Sequence, residues 1–315
     1  MGLLSPGRSR WCFFAPLRGY IEVAIMFKFL TLVLASSVAA TRSAKRGLIF
    51  LPNSDYPQDD SIWVRGGSDL TWYYTYGQTP SSQFSNIPQS QLEFVPMRWG
   101  LGSNRDDTSF SQHVTQLIDS GTKIKAVLGF NEPNFPIEWG GSQIAPADAA
   151  HAWVVDFVPL QKKGVRLGLP AVSGSPDGLV WLEQFNGNCS QIMAQKGAGS
   201  DCPYDFLPVH WYDNFGGLQS HINEAISVFP RAAIWVTEFA YANQNLQATQ
   251  DYYNQAVNWM DGFDKIERYS YFGAFRSKTS NVGPNATFLN NAGQLTDIGS
   301  WYLGGGSTGV VPASG

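Results

Sequence analysis

The chain has 315 residues, of which 43% are hydrophobic, 14% aromatic and only 15% charged, with a formal charge of −4. That composition excludes a disordered chain and predicts a substantial buried core, while no apolar run reaches the roughly 18–20 residues that span a bilayer as a helix. Of 21 basic and 25 acidic side chains, seven and one fall in residues 1–46, leaving 14 against 24 beyond; so acidic a remainder repels phosphate backbones and speaks against nucleic acid as a partner.

Residues 1–46 read as a leader. From Met26, Lys28 precedes an apolar stretch from Phe29 to Ala35, and Val38 and Ala40 stand where a signal peptidase requires small side chains, the order of a secretory signal. Residues 1–25 are then an upstream extension, and Thr41 to Arg46 a short propeptide ending in the dibasic pair Lys45-Arg46. The competing reading is a buried N-terminal helix. A secreted protein suits the cysteines: Cys12 leaves with the leader, and Cys189 and Cys202 remain as one pair, in an oxidising compartment most simply a disulfide. Zinc is the weaker reading, since no C-x-x-C is present and no His lies near either cysteine. Sequons at Asn188 and Asn285 fit surface loops of an extracellular or cell-wall protein.

The spacing then predicts eight strands, over residues 47–51, 70–76, 93–99, 125–130, 165–170, 205–212, 233–239 and 266–275. Helices are predicted over 146–163, 178–195, 217–229 and 246–263, the first carrying Trp153, Val154, Phe157 and Leu160 as an apolar stripe. Strand–helix alternation repeated across 47–303 predicts a single-domain α/β fold, the (β/α)8 TIM barrel. Near-continuous apolar strands fit a parallel sheet buried on both faces. A doubly wound open sheet competes, but it calls for a Gly-rich phosphate turn after the first strand, where this chain has Leu51-Pro52-Asn53-Ser54-Asp55. Residues 304–315 read as a Gly-rich flexible tail whose match to nucleotide and nucleophile motifs is low complexity.

In such a barrel the C-terminal strand ends face the active site. Two carboxylates stand there: Glu132 after the fourth strand, beside Asn131, and Glu238 at the end of the seventh. A carboxylate directly after a buried strand is costly to ionise unless hydrogen-bonded. Either glutamate alone fits a structural salt bridge or cap as well as catalysis; two facing each other across the ring are the equipment of glycoside hydrolysis. Asp55 and Asp213 follow strands one and six in turn-like sequence and read as loop hydrogen bonders. The four histidines have no ligand spacing, so no metal or cofactor is expected.

Aromatics crowd the same strand ends. Trp72, Tyr76, Trp99, Tyr212 and Phe272 offer planes for the apolar face of a sugar, while His210 and Asn131 offer tips for its hydroxyl rim. Barrel packing explains any single one of them equally well. Parity puts His210 and Tyr212 on one face and sends Trp211 outward.

Asn131-Glu132-Pro133 on strand four with Thr237-Glu238-Phe239 on strand seven resembles clan A of the retaining glycosidases. Trp72-Tyr73-Tyr74, residues 95–100, residues 128–134, Val209-His210-Trp211-Tyr212, residues 235–239 and residues 268–273 together resemble glycoside hydrolase family 128, the β-1,3-glucanases with an alkali-sensitive-linkage type catalytic core. These segments span 70–275 in order. After Tyr74 the family pattern continues Asn-Trp; this chain has Thr75-Tyr76. The resemblance implies a retaining endo-β-1,3-glucanase, a monomer acting on β-1,3-glucan, with Glu132 as general acid/base and Glu238 as nucleophile. The rivals are a glucan-binding protein on a barrel whose catalysis has lapsed, and a retaining hydrolase of a β-1,4- or β-1,6-linked glucan.

Overall fold

The computed structural model describes residues 43–315; the signal peptide and upstream extension lie outside the described residues. Eight strands form one parallel sheet: β1 (Arg46–Ile49), β2 (Trp72–Tyr74), β3 (Glu93–Phe94), β4 (Ala126–Leu128), β5 (Arg166–Gly168), β6 (Phe206–Trp211), β7 (Ala233–Phe239) and β8 (Ile266–Tyr271). Their order is β3-β2-β1-β8-β7-β6-β5-β4. The seam between β3 and β4 is closed by a parallel bridge from Met97 to Leu128, with Leu128 N–H donating to the Pro96 carbonyl at 2.8 Å. The fold is the expected (β/α)8 barrel.

Six α-helices follow the strands: α1 (Ser109–Asp119), α2 (Pro146–Ala152), α3 (Gly178–Gln195), α4 (Phe215–Val228), α5 (Leu246–Gly262) and α6 (Asp297–Tyr302). The alternation is less regular than the sequence pattern predicts. The crossovers after β1 and β2 carry only short 3₁₀ segments, Pro57–Ile62 and Ser82–Phe84, because their Pro, Ser, Asn and Gly residues favour turns over a helical ladder. The helix expected over 146–163 changes pitch: α2 runs into a π turn (Trp153–Phe157) and then a 3₁₀ segment (Val158–Lys163). Pro159 supplies no N–H to an α-helical ladder there.

Inward-pointing residues of alternate register fill the barrel, among them Trp72, Tyr74, Met97, Leu128, Phe206 and Trp235. Trp72 and Trp235 lie 5.3 Å apart, centroid to centroid. Gly47 makes room for them: a Cβ there would lie 2.2 Å from the Trp72 ring. The Trp72 indole N–H donates to the Lys45 carbonyl at 3.1 Å, so this residue closes the bottom of the barrel. It is fully buried and cannot touch a ligand at the mouth, which corrects its sequence-based assignment to substrate binding. Strand parity identifies the face and not the depth.

Both domain boundaries also shift. Lys45 and Arg46, assigned to the leader, belong to the folded domain. Lys45 Nζ donates to the Met260 and Phe263 carbonyls at the end of α5, at 2.9 and 3.1 Å. Arg46 opens β1 and holds Asp69 and the Trp301 and Tyr302 carbonyls. The tail is pinned rather than free. Thr308 N–H and Gly309 N–H donate to Asp297 at 2.6 and 2.8 Å, Asn291 N–H donates to the Ser314 carbonyl at 2.9 Å, and Pro312 is buried.

Cys189 and Cys202 form the expected disulfide, with Cα atoms 5.2 Å apart, joining the last turns of α3 to the approach to β6. Asn188 therefore lies within α3 and not in a surface loop; its side-chain amide donates to the Gln184 carbonyl at 2.8 Å. The apolar spacing on either side of the sequon overrides its loop preference. Asn285 sits in a half-exposed turn, as expected.

Candidate active site

Glu132 leaves the barrel four residues after β4 ends. Its φ is +38°, a conformation uncommon outside glycine and strained for a residue followed by proline. The turn is held from several sides. Glu132 N–H donates to the Ala171 carbonyl at 2.7 Å and Phe135 N–H to the Glu132 carbonyl at 2.8 Å. Gly141 packs where any Cβ would come within 2.6 Å of that same carbonyl oxygen. Strain sustained by neighbours in this way marks a position whose geometry is used.

Glu238 approaches from β7 and is 5% exposed. The Tyr76 hydroxyl donates to its Oε1 at 2.6 Å and the Tyr212 hydroxyl to its Oε2 at 2.5 Å. Both oxygens accept, the hydrogen-bond pattern of an ionised carboxylate. The tyrosines stay protonated as donors: burial first, then the Glu238 charge, pushes both hydroxyls well above the usual phenol range. Tyr76 itself has φ +58°, so a second strained residue grips the same carboxylate. Phe272 packs edge-on against Tyr212, ring centroids 5.7 Å apart.

His210 sits beneath the two glutamates. A register shift in the β6–β7 ladder between Val209 and His210 sets it opposite Glu238. Its Nδ1 lies 3.0 Å from Glu132 Oε1 and 3.5 Å from Glu238 Oε2. Burial disfavours its charge, but the Glu238 charge, then the hydrogen bond and charge of Glu132, outweigh that and raise its pKa above the ordinary histidine value. At 1% exposure it does not reach the cleft surface. It contacts the carboxylates, where the sequence reading had it touching the sugar rim. One atom from each of Glu132, His210 and Glu238 falls within 4.8 Å of the others. A cation held there would have to compete with the tyrosine hydroxyls for Glu238, and the arrangement fits proton chemistry better than ligation.

Above these groups lies a cleft of about 430 Å³ lined by both glutamates and by Asn131, Tyr76, Trp99, Tyr212 and Phe272. Trp99 follows Arg98, which is tied to the fully buried Asp156 and stacks on Phe130. Asn131 donates its amide to the Gly140 carbonyl at 3.1 Å, and its Oδ1 is buried with no partner among the described residues. Sequence reasoning missed Phe135, Trp139 and Asn281, which also line the cleft. Trp139, in the loop directly after Glu132, was the one with a legible signal. Asp55 and Asp213 are exposed loop residues, as expected.

The cleft does not end at its own walls. It shares Leu51, Phe272 and Asn281 with a second cavity of about 420 Å³ at the β1 and β8 loops. It shares Tyr76 and Trp99 with a third of about 280 Å³ beside α1.

Two buried glutamates at the ends of strands four and seven share one histidine under an aromatic cleft, and residues 47–302 match the family model described as glycosyl hydrolase catalytic core. The chain belongs to that family. It is 30% identical over 270 residues to Alkali-sensitive linkage protein 1 of Schizosaccharomyces pombe, a match covering 83% of this chain and 44% of that protein. The chain thus spans under half the length of this curated relative. Among solved structures, a curdlan-specific exo-β-1,3-glucanase of glycoside hydrolase family 128 from Blastomyces gilchristii, in complex with glucose, superposes with a TM-score of 0.63 at 27% identity, over 83% of this chain and 98% of that one. A family 128 oligosaccharide-binding protein from Cryptococcus neoformans shares the fold at 24% identity and a TM-score of 0.60, over 85% of this chain and 97% of that one. The family therefore includes hydrolases and binding proteins on one barrel.

Proposed function

We propose that this protein is a secreted, retaining endo-β-1,3-glucanase that works by double displacement. The observation that carries the reading is the close, histidine-bridged pair of carboxylates. Retaining glycosidases hold theirs about 5–5.5 Å apart, whereas inverting enzymes need about 6.5–9.5 Å to admit a water. The 4.8 Å limit on the separation of the nearest Glu132 and Glu238 oxygens supports direct attack.

In the first step, protonated Glu132 gives its proton to the glycosidic oxygen as the bond to the leaving saccharide breaks. Glu238 attacks the anomeric carbon through one oxygen, and a tyrosine hydroxyl steadies the other. His210 lies between the two groups and stabilises the negative charge that Glu132 acquires. In the second step Glu132 takes a proton from water, and the released oxygen displaces Glu238. Asn131, with its buried side-chain oxygen unsatisfied, is the group positioned to bind a sugar hydroxyl beside the reacting carbon. Cavities that adjoin the cleft, one through Leu51, Phe272 and Asn281 and the other through Tyr76 and Trp99, favour a chain bound along its length, hence endo action. The test is incubation with β-1,3-, β-1,4- and β-1,6-linked glucans. Oligosaccharides of several lengths released early from the β-1,3 polymer alone are expected. Release of glucose only would replace endo with exo action, release from another linkage would change the substrate, and binding without release would favour the lapsed-barrel rival.

A further inference from the structure

Trp139 is 70% exposed and yet lines the catalytic cleft. An indole held in solvent against a sugar-sized cavity contributes nothing to the core, and its position invites a ligand. It is also held firmly. Trp139 N–H donates to the Pro136 carbonyl at 3.1 Å, and its ring meets Phe135 edge-on at 5.9 Å. Gly140 ends the turn in the left-handed conformation, and Gly141 packs where a Cβ would lie 2.3 Å from the Phe135 carbonyl oxygen. The Asn131 amide and Glu132 carbonyl anchor the same loop. The backbone that carries the indole is therefore anchored to Glu132 and its neighbours.

That linkage sets its role. Glu132 protonates the leaving oxygen, so the departing saccharide lies on the Glu132 side of the cleft, over this loop. Whatever attacks in the second step arrives on the same side. We propose that Trp139 is an acceptor platform and that the protein transfers glucan chains to sugar acceptors in addition to hydrolysing them. The inference rests on the double-displacement reading. In the transfer step a hydroxyl oxygen of the acceptor glucan attacks the anomeric carbon esterified to Glu238. The bond to Glu238 breaks with its electron pair returning to the carboxylate, the hydroxyl proton passes to Glu132, and a new glycosidic bond forms. An acceptor stacked on Trp139 gains the effective concentration that lets it compete with water.

The test is mass spectrometry of products from a β-1,3-linked glucose hexamer at rising concentration, with the anomer first released followed by NMR. Products longer than the hexamer are expected from the wild type, increasing with substrate. Trp139→Ala should lower the ratio of transfer to hydrolysis about tenfold, the factor that ~1.4 kcal/mol of acceptor binding commands, with Trp139→Phe between. The ratio does not depend on how much of a variant folds. Retention with no lengthened products, or an unchanged ratio in Trp139→Ala, overturns the platform. First release of the α-anomer overturns the double displacement beneath it.

Discussion

Glu238 is reached by side chains carried on or just beyond two other strands: Tyr76 beyond β2, His210 from β6 and Tyr212 directly after it. Glu238→Gln keeps its size and removes the nucleophile, so turnover of β-1,3-glucan should fall by roughly 10⁴-fold or more while oligosaccharide binding, read by calorimetry, persists. Glu132→Ala should lose roughly 10²–10⁴-fold on glucan but spare the first step on an activated aryl glucoside, where the leaving group needs no proton. Azide should then restore turnover by attacking the glycosyl-enzyme. Near-normal turnover in Glu238→Gln would move the search to other carboxylates. His210 gives a pH signature. Its folded pKa is raised by Glu238 and Glu132, so the stability its charge contributes is complete below the unfolded value of about 6.5 and is lost as pH rises through the folded value. The Tm gap between wild type and His210→Gln should accordingly be wider at pH 5.5 than at pH 9; an equal gap would contradict a charged His210. The glutamates were legible in sequence because a carboxylate after a buried strand needs a reason. His210 was legible as a site residue but not in its role, since parity cannot show what lies beneath what. Trp72 and Tyr76 share parity with the ring of Tyr74 packed between them, and only Tyr76 meets the cleft.

The elements that frame the site depend on two fastenings. The disulfide closes residues 189–202, and a loop of that length is worth about 3 kcal/mol in the chain-entropy model. Replacing both cysteines with alanine should lower Tm by about 6–12 °C without altering the cleavage pattern. The second fastening is the Lys45-Arg46 pair, which joins β1 to the ends of α5 and α6. Arg46 is paired with Asp69 and almost buried, so Arg46→Ala should destabilise by about 3–5 kcal/mol, read by urea unfolding. It follows that N-terminal sequencing of the processed chain should read from Thr41, upstream of Ser43; a start at Gly47 with full stability would show the clasp to be dispensable. Strand positions were legible from apolar runs because both faces of a barrel strand are buried. The missing helices after β1 and β2 and the pitch change near Pro159 were not, since repeat counting does not register where turn-forming residues break the repeat. The start of the folded domain was not legible, because a dibasic pair looks the same as a processing signal and as a clasp on helix ends.

Across the molecule, one barrel brings together residues far apart in sequence, as in the bond from the Tyr74 hydroxyl to the Thr237 carbonyl, 163 positions away and beneath the site. The fold was legible at this level because the alternation of strands and crossovers admits few closed parallel sheets. The extent of the cleft was not, because its adjoining cavities are built by loops such as those holding Leu51, after β1, and Asn281, after β8, whose sequence carries no period. The central claim is that Glu132 and Glu238 cleave β-1,3-glucan through a covalent glycosyl-enzyme. The most direct test is proton NMR of the anomer first released from a β-1,3-linked glucose oligomer, recorded before mutarotation. The β-anomer is predicted; first release of the α-anomer would contradict the account.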